Sequence, residues 1–374
     1  MTRLTYKYRL YPTKAQVLAL EGNLMLCCEL YNAALQERRD AYRIERKSIQ
    51  LSSQNRQLPK IKEDRAELNS VYAQVLQDVL RRVDKAFVHF FRRVRLKQKA
   101  GYPRFHSKRR YDSMTYPQGG FSINGRHLKL SKIGNVKIKL HRVLEGKIKT
   151  LTIKRQAGKW FAYFCVEINP LPLQLSHDAI GIDVGLSSFA TLSNGEEIRN
   201  PRYYKKSQAK LRCAQRKVSR RKNKSSHRRF KAVMILQHVH LHIGMQRLNF
   251  HHEESRRLIN RYGLIAIEAL NIQGLARSML AKSVYDVGWS SFISLLVYKA
   301  ENAGRVLEKV DPRGTSQTCV CGTRVTKTLA DRWHYCSYCG LTGPRDHIAA
   351  QVILSRARTE PSGVNVEVVN SCVA

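Results

Sequence analysis

Residues 4–11, LTYKYRLY, alternate apolar or aromatic with polar positions, the period-2 pattern of a half-buried strand. Thr13 with Gln16 three places on reads as a capping box, and Val17, Leu20, Leu24, Cys28, Tyr31 and Leu35 then recur at helical spacing. Cys27 and Cys28 read as core packing. A second helix is predicted from the cap candidates Asn69 and Ser70 through Leu76, Leu80, Val83, Phe87, Phe90 and Val94, ending near Arg95. Alternation returns in HLKLSKIGNVKIKL (127–140) and IKTLTIKRQAGKWFAYFCVEI (148–168), the latter a hairpin turning at Gly158. A small β-barrel is expected to close by about Ile168, with the helices inserted into it.

Residues 169–178, NPLPLQLSHD, carry two prolines and little periodicity, so they read as a linker between two halves. The second half opens with AIGIDVGLSSFATLSNGEEI, an apolar strand bearing Asp183, a glycine-containing turn and a second strand ended by Asn194 and Gly195. From Ile198 to His252 there is no acidic residue, and Lys205 to Lys231 holds 13 lysines and arginines in 27 positions. A helix interrupted near KNKSSH (222–227) is predicted. Like charges at i and i+4 repel on an uncovered helix, so this one either lies along a phosphate backbone or is a solvated face. RYGLIAIEALNIQGL then gives a short buried strand with Glu268 at its end. A carboxylate there is either salt-bridged or bound to a cation, because an unpaired buried charge is costly.

Composition turns these elements toward a partner. Lysine and arginine number 67 against 28 acids in 374 residues, a formal net charge of +39. A 43% hydrophobic content is enough for two or three domains with real cores, so the excess charge belongs to a folded surface that a polyanion covers. No amphipathic basic helix with a Trp/Phe face points to a membrane instead. No apolar run approaches the ~18 residues of a spanning helix, and MTRLTYKYRL lacks a signal-peptide core, so the protein is expected to stay in the cytoplasm. In KQKAGYPRFHSKRRY (97–111), Tyr102, Phe105 and Tyr111 alternate with cations that include Lys108, Arg109 and Arg110. Phosphate contact with base stacking is one reading and a solvated basic loop is the other. Of nine cysteines, Cys319, Cys321, Cys336 and Cys339 crowd together while Cys27, Cys28, Cys165, Cys213 and Cys372 are scattered. In a reducing compartment that cluster reads as metal binding.

Metal-dependent phosphodiester hydrolysis needs several carboxylates converging on cations, and magnesium prefers sparse oxygen ligation of this kind. Asp183, Glu268 and Asp346, the last at the entry to a helix in GPRDHIAAQVI, qualify if their strands are neighbours in one sheet. The words around them are more specific than their spacing. YRLYPTKAQ, AGYPRFHSKRR, GIDVGLSSFATLSNG, IAIEALNIQG, YKAENAGR, DPRGTSQTCVCG and RDHIAAQVIL resemble, in order and over nearly the whole chain, the motifs of the TnpB family. These are transposon-encoded, RNA-guided, RuvC-like nucleases similar to type V CRISPR effectors.

The resemblance implies an α+β multidomain protein. A β-barrel wedge domain (1–12 and 112–175) would be interrupted by a helical recognition insertion (13–111). An RNase H-like, RuvC-type α/β domain (176–311 and 344–374) would follow, with a zinc ribbon (312–343) inserted. It implies a guide-RNA-dependent DNA endonuclease of a mobile element, with a transposon-derived guide RNA and a target DNA bearing a short adjacent motif as partners. Base pairing would read sequence while the protein reads backbone shape. Asp183, Glu268 and Asp346 would be the catalytic, magnesium-binding (Mg2+) triad, and the four clustered cysteines would hold zinc (Zn2+). The location implied is a prokaryotic cytoplasm, on the nucleoid when bound to DNA.

Two positions depart from the family pattern. Cys319-Val320-Cys321 is one residue shorter than a Cys-x-x-Cys knuckle, which strains a tetrahedral site, with His334 as a substitute ligand. In Pro344-Arg345-Asp346-His347-Ile348-Ala349-Ala350, Pro344 and Ile348 replace the family's Asp and Asn, which predicts weakened cleavage rather than none. The alternatives are an RNA-guided DNA-binding protein whose nuclease is weak or lost, and a general RNA-binding protein without DNA activity.

Overall fold

Unbroken alternation makes β1 (Thr2–Tyr11) a ten-residue strand with Tyr6, Tyr8 and Leu10 on its buried face. In the computed structural model, which describes residues 2–223, 225–328 and 331–359, the chain divides into two units, Met1–Asn169 and Pro170–Ala374. The first is organised around β1, which pairs with β5 (Gly134–Lys139) and β7 (Lys159–Ile168). With β2 (Ser113–Tyr116), β3 (Phe121–Asn124), β4 (His127–Leu130) and β6 (Lys147–Gln156) they form one antiparallel sheet ordered β2-β6-β7-β1-β5-β4-β3. Its two edges, β2 and β3, are consecutive in the chain, so the sheet curls toward closure. No ladder joins those edges among the described residues, and the result is a near-barrel rather than a sealed one. The β6–β7 hairpin turns at Ala157 and Gly158, both at positive φ (48° and 69°), the geometry that matches the twist of two-residue hairpins.

Helices α1 (Lys14–Glu45), α2 (Leu51–Asp64) and α3 (Ala73–Arg95) are inserted after β1. The capping box forms: Gln16 N donates to Thr13 Oγ1 at 3.3 Å and Thr13 N to Gln16 Oε1 at 3.0 Å. Cys27 and Cys28 are fully buried in the core. α2 has no counterpart in the sequence reading; it carries Pro59 internally and buries only Gln54 and Leu58, too thin a stripe to register as periodicity. α3 starts at Ala73 because Asn69 and Ser70 sit in a preceding 3-10 turn, and Val94 at its far end is 51% exposed. Tyr111 corrects the stacking reading. It is 5% exposed, packed near Tyr31 and His106, whereas Tyr102 and Phe105 remain 45% and 46% exposed.

The second unit is built on β8 (Ala179–Val184), β9 (Ser188–Leu192), β10 (Glu197–Arg199), β11 (Leu264–Glu268) and β12 (Val306–Val310), ordered β10-β9-β8-β11-β12. β8, β11 and β12 run parallel. The basic segment forms α4 (Tyr203–Ser219) and α5 (His227–Arg261), broken where expected. α6 (Ile272–Leu275), α7 (Ala281–Val287) and α8 (Trp289–Ala303) follow β11. A two-stranded ribbon, β13 (Trp333–Tyr335) and β14 (Thr342–Pro344), leads directly into α9 (Arg345–Thr359). One face of the sheet, with Ile180, Ile182, Ile265 and Ile267, packs with Leu258 and Ile259 of α5 and Phe292 and Leu296 of α8. The other, through Ala266 and Val310, packs with Ile353 and Ala357 of α9. The segment expected over 344–374 is described to residue 359; Cys372 lies outside the described residues. No helix among those described is long and apolar enough to cross a membrane.

Candidate active site and cysteine cluster

Strand periodicity puts Gly181 and Asp183 on the face of β8 opposite Ile180 and Ile182, and Ala266 and Glu268 on the same face of β11. The ladder aligns Ile267 with Ile182, so Glu268 stands beside Asp183 at the strands' carboxyl ends. Gly181 sets the distance to α9. A Cβ added there would lie 2.0 Å from the Ala350 carbonyl oxygen and 2.9 Å from Leu354 N. Two strand residues beyond Gly181 advance about 6.6 Å. Four helix residues before Ala350 retreat about 6 Å. Asp346, in the first turn of α9, therefore arrives level with Asp183. Gly181→Ala is expected to lower stability by about 1–3 kcal/mol, because backbone rather than a flexible side chain must yield. Thermal unfolding checks this, and an unchanged melting temperature would mean that α9 can shift freely.

Electrostatics register the convergence. Burial first, then the charges of Glu268 and Asp346, push the Asp183 carboxyl up to about 8, against a smaller opposing pull from Arg345. Burial also raises Glu268, opposed by a hydrogen bond from Thr315 and the positive charge of Arg356. Thr315 Oγ1 donates to Glu268 Oε1, and among the described residues Glu268 has no ion-pair partner. Its hydrogen-bond partner is the Thr315 hydroxyl, and Arg356 acts on it only as a nearby positive charge. Asp346 accepts a hydrogen bond from Arg345 Nε at 3.1 Å and is 38% exposed at its side chain. Arg345 also donates through Nη1 to Asp331 O at 3.0 Å, and its backbone N to Arg332 O at 2.9 Å, tying the start of α9 to the ribbon. His347 Nε2 lies 3.1 Å from Ser193 O and anchors the same turn to the β9–β10 connection. Ile348 is buried and faces Gly343, so packing replaces whatever a polar side chain would do there. Among the described residues the three carboxylates do not gather as tightly as the cysteines do.

The sulfurs of Cys319, Cys321, Cys336 and Cys339 all lie within 4.8 Å of one another, with Cys319–Cys339 at 3.5 Å and Cys321–Cys336 at 3.8 Å. Four thiolates at about 2.3 Å from a tetrahedral zinc would be about 3.8 Å apart, so the donor set fits the metal. The short knuckle is accommodated by a tighter turn. Gly322 N donates to Cys319 O three residues back, whereas Gly340 N donates to Cys336 O four back, both at 2.9 Å. Each glycine has positive φ (89° and 71°), which allows the chain to reverse immediately after the second cysteine. His334 is outside this cluster: it is buried on β13 with Nδ1 against Lys327 Nζ.

Lys108, Arg109 and Arg110 lie in an exposed turn of the first unit, but Lys108 is not free, since its Nζ is 2.8 Å from Glu29 Oε1. The sequence reading did not anticipate Thr315, Arg345 or Gly181 as parts of the site. Their only sequence signal is that each falls inside one of the ordered motifs.

Comparison with known proteins decides the family. A protein of Streptomyces pristinaespiralis named "Putative RNA-guided DNA endonuclease" is 33% identical over 360 residues, covering 94% of this chain and 88% of that protein. The chain belongs to the TnpB family. A second relative, from Escherichia coli (strain K12) and carrying the same description with the name InsQ, is 28% identical over 95% of this chain and 92% of its own. Family models described as "Probable transposase", "Cas12f1-like, TNB domain" and "Helix-turn-helix domain" match residues 163–279, 289–353 and 1–47 of this TnpB-family protein. In the last stretch the structure has one strand and one long helix. A solved Cas12f1–sgRNA–target DNA complex aligns with a TM-score of 0.59 at 15% identity, over 91% of this chain and 82% of that one, a likeness of fold.

Proposed function

We propose that this TnpB-family protein is a guide-RNA-dependent DNA endonuclease whose RuvC-like site, Asp183, Glu268 and Asp346, hydrolyses phosphodiester bonds with magnesium. The observation that carries the reading is the convergence of acids from β8, β11 and α9, where burial first and then the charges of Glu268 and Asp346 hold Asp183 near 8, with no lysine or arginine bonded to Asp183 or Glu268 among the described residues. Such a cluster suits divalent cations. The relatives' names and the RNA- and DNA-bound state of the structural neighbour support the same reading.

Bound there, magnesium would supply an activated water and a counter-charge for the leaving oxygen. The chain's own part is to hold the three carboxylates on rigid elements, with α9 seated on Gly181 and Arg345 restraining Asp346. The acid-free α4 and first half of α5 offer phosphate contacts that neutralise backbone charge without reading bases. In this reading residues 1–12 and 112–175 are the wedge barrel and 13–111 the recognition insertion. Residues 176–311 and 344–374 are the nuclease domain, and 312–343 a ribbon whose four cysteines hold zinc.

The test is to purify the protein with its bound RNA, sequence that RNA, and assay cleavage of complementary and scrambled DNA in magnesium. Guide-matched cleavage is expected. Binding without cleavage would assign the weakened-nuclease alternative, and RNA binding without guided DNA binding would overturn the proposal. Target binding measured at rising salt also tests the basic turn. Lys108→Ala/Arg109→Ala/Arg110→Ala should flatten the log–log salt dependence by about 0.9 for every phosphate that the turn neutralises. An unchanged slope would leave that turn as solvated surface.

A further inference from the structure

We propose that Thr315 is a positioning residue for the nuclease, its hydroxyl fixing one oxygen of Glu268 so that the other is presented to a cation. The proposal rests on the reading of Glu268 as a metal ligand given above. Thr315 is 4% exposed and donates to Glu268 Oε1, while its Oγ1 also lies 3.2 Å from Pro312 O. One hydroxyl proton thus has two acceptors, and the carboxylate is the stronger. A glutamate at the end of a strand has rotatable bonds to spare, and a single charge-assisted donor is what restricts them.

The donor is itself held. Arg356 on α9 donates from Nη1 to Asp311 O and to Arg313 O, both at 2.9 Å, closing the turn that begins this segment. Gly314, at φ 72°, reverses the chain, and Thr318 Oγ1 donates back to Gly314 O at 2.8 Å. This makes a continuous path from α9 through residues 311–315 to β11. α9 carries Asp346 at one end and Arg356 about three turns later, so the same helix that brings one acid to the site also anchors the group that aims another. Cys319 follows Thr315 by four residues, which places this device at the entry stem of the cysteine ribbon, while Arg345 restrains Asp346 at the exit stem.

The experiment compares Thr315→Val, which keeps the shape and removes the donor, with Thr315→Ser, which restores it. Manganese stands in for magnesium so that binding to the full, guide-loaded protein is read by electron paramagnetic resonance independently of cleavage. Thr315→Val is expected to weaken manganese binding about 10- to 100-fold, the range seen when a group orienting a metal ligand is removed. It should require correspondingly more metal for half-maximal cleavage, with Thr315→Ser near wild type and unfolding temperatures alike. Glu268→Ala is the control. If Glu268→Ala loses manganese binding and Thr315→Val does not, the positioning role is overturned while the site stands. If Glu268→Ala itself binds manganese normally, the reading of the site fails first. Equal losses in Thr315→Val and Thr315→Ser would overturn the role of the hydroxyl in favour of packing.

Discussion

Replacing Asp183 by alanine is expected to reduce guide-dependent DNA cleavage by several orders of magnitude while target binding persists. The residue sits on β8 between Glu268 and Asp346, the two acids whose charges it feels most strongly, so its loss removes the centre of the proposed ligand set. No neighbouring lysine can take over the role of a metal ligand at neutral pH. Paired measurements of target binding and strand cleavage decide the matter; undiminished cleavage would place the active site elsewhere.

The same carboxylate should be a stability liability in the absence of metal. Its folded value of about 8 stands above the ordinary aspartate value of 3.8. Folding therefore favours the protonated form. The stability it contributes is full below pH ~4 and is lost as pH rises through about 8, because the unfolded chain ionises freely while the folded chain resists. At about 1.4 kcal/mol per decade, the loss is on the order of several kcal/mol. Metal-free Asp183→Asn is accordingly expected to melt above metal-free wild type at pH 8, with the gap closing by pH 4. Added magnesium should shrink it from the other side by stabilising wild type alone.

The second large effect concerns the four cysteines. Purified protein is expected to contain about one zinc per chain, and Cys336→Ser with Cys339→Ser to remove it. β14 passes straight into α9, and Arg345 bonds both Asp346 and Asp331 O, so a collapsed ribbon loosens the first turn of α9. Cleavage should fall at least 10- to 100-fold. Metal analysis with activity in parallel is the check. A zinc-free, fully active preparation would show that the short first knuckle has abandoned the metal and that packing alone supports α9.

What could be read in advance follows from where the information lies along the chain. β1, the box at Thr13 and Gln16, the hairpin at Gly158 and the break between α4 and α5 are local, carried by alternation, caps and turn residues a few positions apart. The position of α2 is illegible because two buried side chains and an internal proline leave no stripe. Tyr111 misleads because its basic neighbours describe the loop's surface, whereas its burial depends on Tyr31, far away in sequence. The acids themselves are legible through their surrounding motifs. The way they are brought together is not: it depends on Gly181 meeting the Ala350 carbonyl, a contact between residues 169 positions apart. Thr315 and Glu268, separated by 47 residues, are hidden for the same reason.

The placement of Asp346 on the last described helix has a consequence for how the protein is made. The first unit keeps its whole core within residues 6–166 and can fold as soon as it leaves the ribosome. Roughly 180 further residues must follow before Asp346 exists, about 10–35 s at ordinary translation rates of about 5–20 residues per second. Throughout that interval the nascent chain presents a finished basic sheet-and-helix unit and no complete set of acids. Synthesis therefore has a fixed order, in which the first unit's core is complete well before the last of the three proposed site acids has been made.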